Sequence, residues 1–284
     1  MLKNSILNVK YFLRKVAFKY VLKKSKHSLC NRFNFLNGKL FGSPVRLNWD
    51  QKNAHYIITE RLRSGENISI HNSRKERLSL YFNGVKYRVD SLASKYFIPE
   101  LNVNDDDVVI DCGANVGEIG KHFQVNNITP SYHAFDPSKR EYESSRLNNP
   151  QGIINQKGLW KETDTLTLFE KNKTADSSFI EMSGYQNKVD IDVVALDDYV
   201  LQEGIEKIKL LKLEAEGAEP EILEGAKKIL HRIEWVSADC GPERGTAKEM
   251  TFKFVINFLI DNGFRVEALN PKKSIILLRN SVNN

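Results

Sequence analysis

The stretch that decides the fold is residues 108–117, Val-Val-Ile-Asp-Cys-Gly-Ala-Asn-Val-Gly. Three β-formers run into an acid, and Gly113 and Gly117 then bracket a turn that opens a helix. Because glycine has no Cβ and accepts positive φ, such a turn lets the backbone approach a ligand closely. Dinucleotide-binding turns space their glycines as Gly-x-Gly-x-x-Gly. The spacing here is Gly113-x-x-x-Gly117-x-x-Gly120, so that fingerprint is not met.

From about residue 105 the sequence alternates between β-rich runs and helical runs, which indicates an α/β fold. We predict strands at Val108–Asp111, Tyr132–Asp136, Gly152–Leu159, Leu166–Glu170, Ser178–Met182, Val189–Ala195, Lys209–Glu214, Trp235–Asp239, Phe264–Leu269 and Ile275–Leu278. We predict helices at Val116–Val125, at Ser138–Asn148, from Pro220 through Ile233, and from the capping box Thr246-x-x-Glu249 to Ile260.

The last two predicted strands decide how the sheet ends. They are joined by Asn270-Pro271-Lys272-Lys273, which is too short for a helical crossover, so they pair antiparallel or join different sheets. A mostly parallel sheet finished by an antiparallel hairpin is the arrangement of class I methyltransferases. We therefore predict a Rossmann-like, seven-stranded, mostly parallel sheet of this type with a C-terminal antiparallel hairpin, formed by residues 101–284.

The first hundred residues read as two further segments. Residues 1–49 form a basic segment, and residues 50–100 form a small cap of mixed α/β structure. Within the cap, Asn53–Arg63 reads as a short helix, and Asn83-Gly84 is typical of a type I′ turn in a β-hairpin.

The positive charge of the chain belongs to the N-terminal segment. The net charge is +6, yet residues 1–49 hold eleven Lys or Arg and no Asp or Glu, and the other 235 residues carry 31 basic against 36 acidic groups. No nucleic-acid partner is therefore expected for the main domain. Residues 1–26 repeat apolar side chains at helical spacing among eight basic ones. Such a helix either contacts an anionic membrane surface or packs on its own domain.

Cysteine usage and the N-terminus bear on the compartment. Three cysteines, far apart and without a CxxC pair, favour a reducing compartment and disfavour a disulfide framework or zinc site. Lysines and an arginine interrupt every apolar run near the N-terminus, which excludes a signal peptide or membrane span there. We expect a cytoplasmic protein, with peripheral contact to the inner membrane through residues 1–26 as an alternative.

Three blocks of this sequence resemble the FkbM-type S-adenosylmethionine (SAM)-dependent methyltransferases. The blocks are residues 108–117, His-Ala-Phe-Asp-Pro-Ser at 133–138, and Leu-Leu-Lys-Leu-Glu-Ala-Glu-Gly-Ala-Glu-Pro-Glu-Ile-Leu-Glu-Gly-Ala at 210–226. The chain departs from the family at Glu214, where Asp is usual, and at Asp136, where Glu is usual. Both changes keep a carboxylate.

The resemblance implies SAM as cofactor, and it marks five residues for cofactor binding: Asp111, Gly113, Asn115, Gly117 and Asp136. We expect backbone N–H groups of the turn to meet the methionyl carboxylate at the helix N-terminus. We expect Asp136 to bind the ribose diol, as an acid at this place also does in dinucleotide folds. Asp136 would alternatively cap the helix that follows it.

The resemblance also implies transfer of a methyl group to a hydroxyl of a sugar, a glycan precursor or another small molecule. A hydroxyl is a poor nucleophile until a base takes its proton, and we assign Glu214, Glu216 and Asp239 as candidate catalytic residues. Glu214 and Glu216 share a face if the strand is still regular there. A divalent cation on these carboxylates is the less favoured version. Alternatively, Glu216 and Glu219 satisfy a helix N-terminus.

Two rival functions remain open from the sequence. One is a catalytically silent SAM-fold subunit that docks to a membrane or a glycosyltransferase. An oligomer is compatible with this function and with the methyltransferase function. The other is an NAD-dependent oxidoreductase, against which the glycine spacing and the C-terminal hairpin both count.

Overall fold

The computed structural model describes Val16 and residues 18–19, 21–23, 25–171 and 175–281. The chain divides into two compact units, Met1–Ser91 and Leu92–Asn284. The predicted boundary lies between residues 100 and 101. Tyr96, which precedes this boundary, is buried in a hydrophobic cluster together with Leu101 and Val109. The second unit therefore begins earlier along the chain than its first strand.

The first unit contains a three-stranded antiparallel sheet with helices before and after it. In chain order its elements are the α-helix Lys26–Asn34, the π-helix Phe35–Leu40, the strands Val45–Asp50, His55–Arg61 and Asn67–Asn72, the 3-10 helix Lys75–Tyr81, and the α-helix Val85–Lys95, within which the division falls.

Two predicted elements of this unit are wrong. Asn53–Arg63 is not a helix, because His55–Arg61 form the middle strand of the sheet and bury Tyr56 and Ile58. Asn83-Gly84 joins two helices and not two strands. The reason lies in Glu60, whose carboxylate accepts the backbone N–H of Lys86 at 2.9 Å and so satisfies a donor at the start of the second helix.

Most of the predicted amphipathic segment, residues 1–26, lies outside the described residues. Within it, Val16 is 40% exposed, whereas Phe18 and Val21 are buried. The Phe18 ring packs against the rings of Phe33 and Phe82, with centroids 5.8 and 5.2 Å away. Where the segment is described, it thus packs into the first unit. No helix in the described ranges combines the length and hydropathy of a membrane span.

The second unit contains the predicted seven-stranded sheet. Numbered along the chain, its strands are Val108–Cys112, Ser131–Phe135, Ile153–Asn155, Ile208–Leu213, Ile233–Asp239, Phe264–Asn270 and Ile275–Asn280. Their spatial order is 3-2-1-4-5-7-6, and only the seventh runs antiparallel to its neighbours. This is the class I methyltransferase arrangement, and the prediction of a C-terminal antiparallel hairpin is confirmed.

The sheet carries a hydrophobic cluster on each face. Successive residues of a strand point to opposite faces. Ile110 and Leu211 accordingly belong to one cluster, and Val109 and Leu210 belong to the other. The helical elements of this unit are Ile98–Leu101, Glu118–Val125, Lys139–Asn148, Leu196–Gln202, Glu219–Glu224, Leu230–Arg232 and Phe252–Asp261.

A second, four-stranded sheet interrupts the alternation after the third strand. It consists of Gly158–Trp160, Asn187–Ala195, Asp164–Glu170 and Ser177–Ser178, in this spatial order. The predicted strand Gly152–Leu159 is therefore two strands in two sheets. The predicted strand Ser178–Met182 is shorter and begins earlier.

Two predicted helix boundaries are also wrong. The helix at Pro220 ends at Glu224 and not at Ile233. Gly225 follows it, where a Cβ would lie 2.1 Å from the carbonyl oxygen of Trp160, so the chain passes directly against another backbone segment there. The proposed capping box at Thr246 lies in a β-hairpin, Pro242–Arg244 paired with Glu249–Met250, and the following helix starts only at Phe252.

We predict that Leu211→Ala lowers the free energy of unfolding by about 2–5 kcal/mol, because a cavity is left in the central strand. Leu211 is fully buried and pairs with Ile110 and Val236 on the two neighbouring strands. The matched control is Leu201→Ala, at a side chain that is 59% exposed. Urea unfolding measures both; equal losses would contradict this account of the core.

Candidate active site

The structure brings the predicted site residues to one edge of the large sheet. Parallel strands end at a common edge, where α/β folds bind their ligands. The first strand runs into the turn at Gly113, the second is followed by Asp136, and the fourth by Glu214, while the fifth ends at Asp239. Residues from four strands therefore meet at this carboxyl edge.

The glycine turn is closed by its own hydrogen bonds. The N–H groups of Gly113 and Ala114 donate to the carbonyl of Phe135 at 2.9 and 3.0 Å, and the N–H of Gly117 donates to Ala114 at 2.9 Å. The N–H of Asn115 donates to Asp136 at 2.8 Å. These donors are already used, so the expectation that they meet a methionyl carboxylate is not supported.

Protein packing, rather than ligand approach, explains the glycines of this turn. Gly113 has φ +70°, and a Cβ there would lie 1.8 Å from the carbonyl oxygen of Glu214. Gly117 has φ +77°, and a Cβ there would lie 2.1 Å from the side-chain amide nitrogen of Asn149. A substitution at either position would therefore disturb folding together with any binding.

Asp136 holds the turn to the second strand. Its Oδ2 accepts the N–H of Asn115 at 2.8 Å, and its Oδ1 accepts the N–H of Ser138 at 3.0 Å. The second bond lies just before the helix Lys139–Asn148 and does not reach its first turn, so it is not a helix cap. Burial, reinforced by the charge of Glu141, raises the pKa of Asp136 well above its usual range. Each carboxyl oxygen keeps a further lone pair for a ligand.

Beneath the turn lies a buried ion pair. The ammonium of Lys212 is 3.0 Å from Asp111 and also donates to the carbonyl of Gly113 at 2.9 Å. Tyr132 donates its hydroxyl to the other oxygen of Asp111 at 2.6 Å. Burial alone would lower the pKa of Lys212, but the charges of Asp111 and Glu214 outweigh it, so the pKa is raised. Asp111, predicted to bind cofactor, is fully buried in this network.

A second lysine, which the sequence did not mark, lies at the ends of the fourth and fifth strands. The ammonium of Lys95 is 3.2 Å from Glu214 and 3.0 Å from Asp239, and it donates to the hydroxyl of Tyr96 at 3.0 Å. Glu214 thus lies between two lysines. Burial opposes their effect, yet Lys212 and Lys95 lower the pKa of Glu214 to about 2. Glu214 is consequently a weak base.

The pKa values of Glu216 and Glu243 are raised, whereas that of Glu214 is lowered. The fourth strand ends at Leu213 and Glu216 has φ +50°, so the regular strand that would align Glu216 with Glu214 is absent. Burial and then the charge of Glu243 raise the pKa of Glu216 to about 9. Burial and then the charge of Asp239 raise the pKa of Glu243 to about 7. Glu243 could not be predicted from the sequence, because the residues around it resemble the approach to a helix and form a hairpin instead.

Several of the edge carboxylates have partners within the protein. Glu219 accepts the N–H groups of Ala215 and Gly217 at 2.9 and 3.3 Å, so its carboxylate holds the turn that precedes the helix Glu219–Glu224. Lys95 supplies positive charge to Glu214 and Asp239. Within the described ranges, no group of three or more His, Cys, Asp or Glu is arranged to hold a metal ion.

Comparison with known proteins gives a family match over this unit. A model described as the methyltransferase FkbM domain matches residues 111–266, a range that includes the carboxyl-edge residues except Lys95 and Tyr96. The chain is 20% identical over 232 residues to 2-O-methyltransferase NoeI of Sinorhizobium fredii (strain NBRC 101917 / NGR234), covering 74% of this chain and 94% of that protein.

Two further similarities are weaker. Methyltransferase 1 of Beauveria bassiana (strain ARSEF 2860) is 21% identical over 193 residues, covering 59% of this chain and 76% of that protein. A crystal structure of precorrin-6y C5,15-methyltransferase from Geobacter metallireducens GS-15 has a TM-score of 0.37 and 14% identity, covering 68% of this chain and 88% of that one. The assignment of the fold follows from the strand order of the large sheet.

We predict that Lys212→Met destabilises the protein by about 3–5 kcal/mol, because it leaves the Asp111 carboxylate buried without its cation. The double variant Asp111→Asn/Lys212→Met should recover part of that loss. Lys207→Met is the matched control, since its ammonium lies 3.6 Å from Glu234 and its side chain is 69% exposed; its cost should stay below about 1 kcal/mol. Urea unfolding measures all three. A loss at Lys212 no larger than at Lys207 would contradict the role of this pair.

Proposed function

Because the chain belongs to the FkbM methyltransferase family and is a SAM-dependent methyltransferase, we propose that it methylates a hydroxyl of a sugar or glycan precursor. The observation that carries this proposal is the group of carboxyl groups at the sheet edge, two of which have a pKa raised toward or above neutrality. A carboxyl group whose pKa lies near neutrality suits removal of a hydroxyl proton. The similarity to a protein named as a 2-O-methyltransferase supports oxygen as the methylated atom.

The chemistry of the edge fits SAM, which carries an ammonium, a sulfonium and a ribose diol. The edge is rich in acceptors, and Asp136 keeps a lone pair on each oxygen after accepting two backbone N–H groups. We propose that Asp136 binds the diol and that the partly exposed Asn115 lines the same site. In this proposal Asp111, Gly113 and Gly117 act indirectly, by shaping the turn. When bound, SAM supplies an electrophilic methyl group.

The residues of the chain then have two tasks in the reaction. They must align the acceptor oxygen with the methyl group and the sulfur, which is the remaining geometric demand of the transfer. They must also accept the hydroxyl proton, and Glu214 with a pKa of about 2 is poorly suited to this. Glu214 and Asp239, both bound to Lys95, are better suited to fixing the geometry of the edge.

The rival readings differ in what they require. Membership in the methyltransferase family argues against the hypothesis of an NAD-dependent oxidoreductase. The metal-assisted version has little support, because the ammonium of Lys95 bridges Glu214 and Asp239, two of the three proposed ligands. A catalytically silent subunit remains a distinct hypothesis, since it would bind SAM without transferring the methyl group.

Two measurements on the full chain test the proposed function. Calorimetry should show binding of SAM and of its product, S-adenosylhomocysteine. Methyl transfer from labelled SAM to cell-envelope fractions should label a carbohydrate fraction. Binding without transfer to any fraction would favour the silent subunit, and labelling confined to protein or nucleic acid would contradict the proposed acceptor.

We predict that Asp136→Asn weakens SAM binding about ten-fold or more, because the new amide N–H₂ presents a donor to groups that are themselves donors. Asp197→Asn is the matched control. Asp197 is also buried and accepts backbone N–H groups, from Lys228 at 3.1 Å and Ile229 at 3.2 Å. Both variants should lose some stability, but only Asp136→Asn should lose affinity in calorimetry. Unchanged affinity in a folded Asp136→Asn would remove the ribose assignment.

A further inference from the structure

The hairpin Pro242–Arg244/Glu249–Met250 brings Glu243 to the carboxyl edge. Between the fifth strand and this hairpin lies Gly241. A Cβ built on Gly241 would lie 3.2 Å from Oδ1 of Asp239 and 3.6 Å from Oε1 of Glu243. The two carboxyl groups therefore flank one space, which a side chain at residue 241 would enter.

Arg244 fixes the hairpin against the turn that follows Glu216. Its guanidinium donates to the carbonyl of Gly217 at 2.6 Å and to both oxygens of Glu221 at 2.8 and 2.6 Å. A Cβ on Gly217 would lie 2.5 Å from the Cα of Arg244, so the two backbones are in direct contact. Bidentate Arg–carboxylate pairs are geometrically specific, and Lys does not reproduce them.

Among the described residues, ion pairs at the edge involve Glu214, Asp239 and Asp176. Lys95 pairs with Glu214 and Asp239. Asp176 pairs with Lys171 at 3.6 Å. Burial and then the charge of Glu243 raise the pKa of Glu216 to about 9, and burial and then the charge of Asp239 raise the pKa of Glu243 to about 7. Near neutral pH Glu216 therefore keeps its proton, whereas Glu243 is close to the midpoint of its titration and is in part a carboxylate.

We propose that Glu243 is the general base of the methyl transfer and that Arg244 is the residue that positions it. The proposal rests on the proposed function and replaces Glu214, Glu216 and Asp239 in the role of base. The Glu243 carboxylate accepts the proton of the acceptor hydroxyl as that O–H bond breaks. The acceptor oxygen forms its bond to the methyl carbon, and the electron pair of the C–S bond passes to sulfur. The products are an ether, a neutral thioether and one proton on Glu243.

The first test is the pH profile of methyl transfer to the envelope fraction labelled by the wild-type protein. Glu243→Gln should lower turnover by roughly 10²–10⁴-fold and remove the acidic limb centred near pH 7, with SAM affinity unchanged. Glu216→Gln should keep that limb. Glu224→Gln, at an exposed position, is the control and should leave the profile as it is. A limb that survives in Glu243→Gln and disappears in Glu216→Gln would overturn the assignment.

The second test separates positioning from stability. Arg244→Ala should reduce turnover and move the acidic limb to lower pH, because a released Glu243 would gain solvent and lose the burial that raises its pKa. Arg244→Lys keeps the positive charge but lacks the guanidinium that bonds both oxygens of Glu221. Its turnover should therefore lie between those of Arg244→Ala and the wild-type protein. If Arg244→Ala lowers the melting temperature but leaves the pH profile of the folded protein unchanged, the positioning role is wrong.

The third test needs no acceptor. Carbon-13 NMR of the glutamate carboxyl carbons in the full chain should show a resonance that titrates near pH 7 and is absent in Glu243→Gln. In that variant the titration of Glu216 should move down from about 9, because a repelling charge is gone. A Glu243 that titrates below pH 5 would overturn the inference alone, whereas failure to bind SAM would overturn the proposed function.

Discussion

The ammonium of Lys212 is the group on which the carboxyl edge depends. It is fully buried, 3.0 Å from Asp111 and 3.3 Å from Glu214, and it also bonds the carbonyls of Cys112 and Gly113. These partners end the first strand and follow the fourth. A buried charge of this kind is tolerable only with such compensation. The same ammonium therefore joins the two central strands, supports the glycine turn and keeps Glu214 ionised.

The architecture of the second unit could be predicted because local signals agreed with the final packing. The run Val108–Cys112 reads as a buried strand and forms one, and the short linker at 270–273 does join an antiparallel pair. The predictions were wrong where a tertiary contact favoured a different structure from the one that the local sequence favours. Asn83-Gly84 suits a hairpin, yet the Glu60 carboxylate caps a helix there.

The candidate site was predicted unevenly for the same reason. Residues at strand ends could be found from the strands themselves, so Asp136, Glu214 and Asp239 do meet at one edge. Their electrostatics could not be found, because it depends on Lys95, which reaches Glu214 from 119 residues away. Glu243 could not be found from the sequence, because its hairpin has few local signals, namely Gly241, Pro242 and Gly245. In the structure Gly245 has φ +66° and lies in the turn of the hairpin.

The closed hydrogen bonding of the glycine turn has a consequence for the thermodynamics of ligand binding. The backbone of residues 113–117 is ordered by folding, through donors already directed at Phe135, Ala114 and Asp136. A ligand at this edge therefore does not have to order the turn, and little of its interaction energy is offset by lost backbone entropy. Affinity at such a preorganised turn depends on contacts and desolvation.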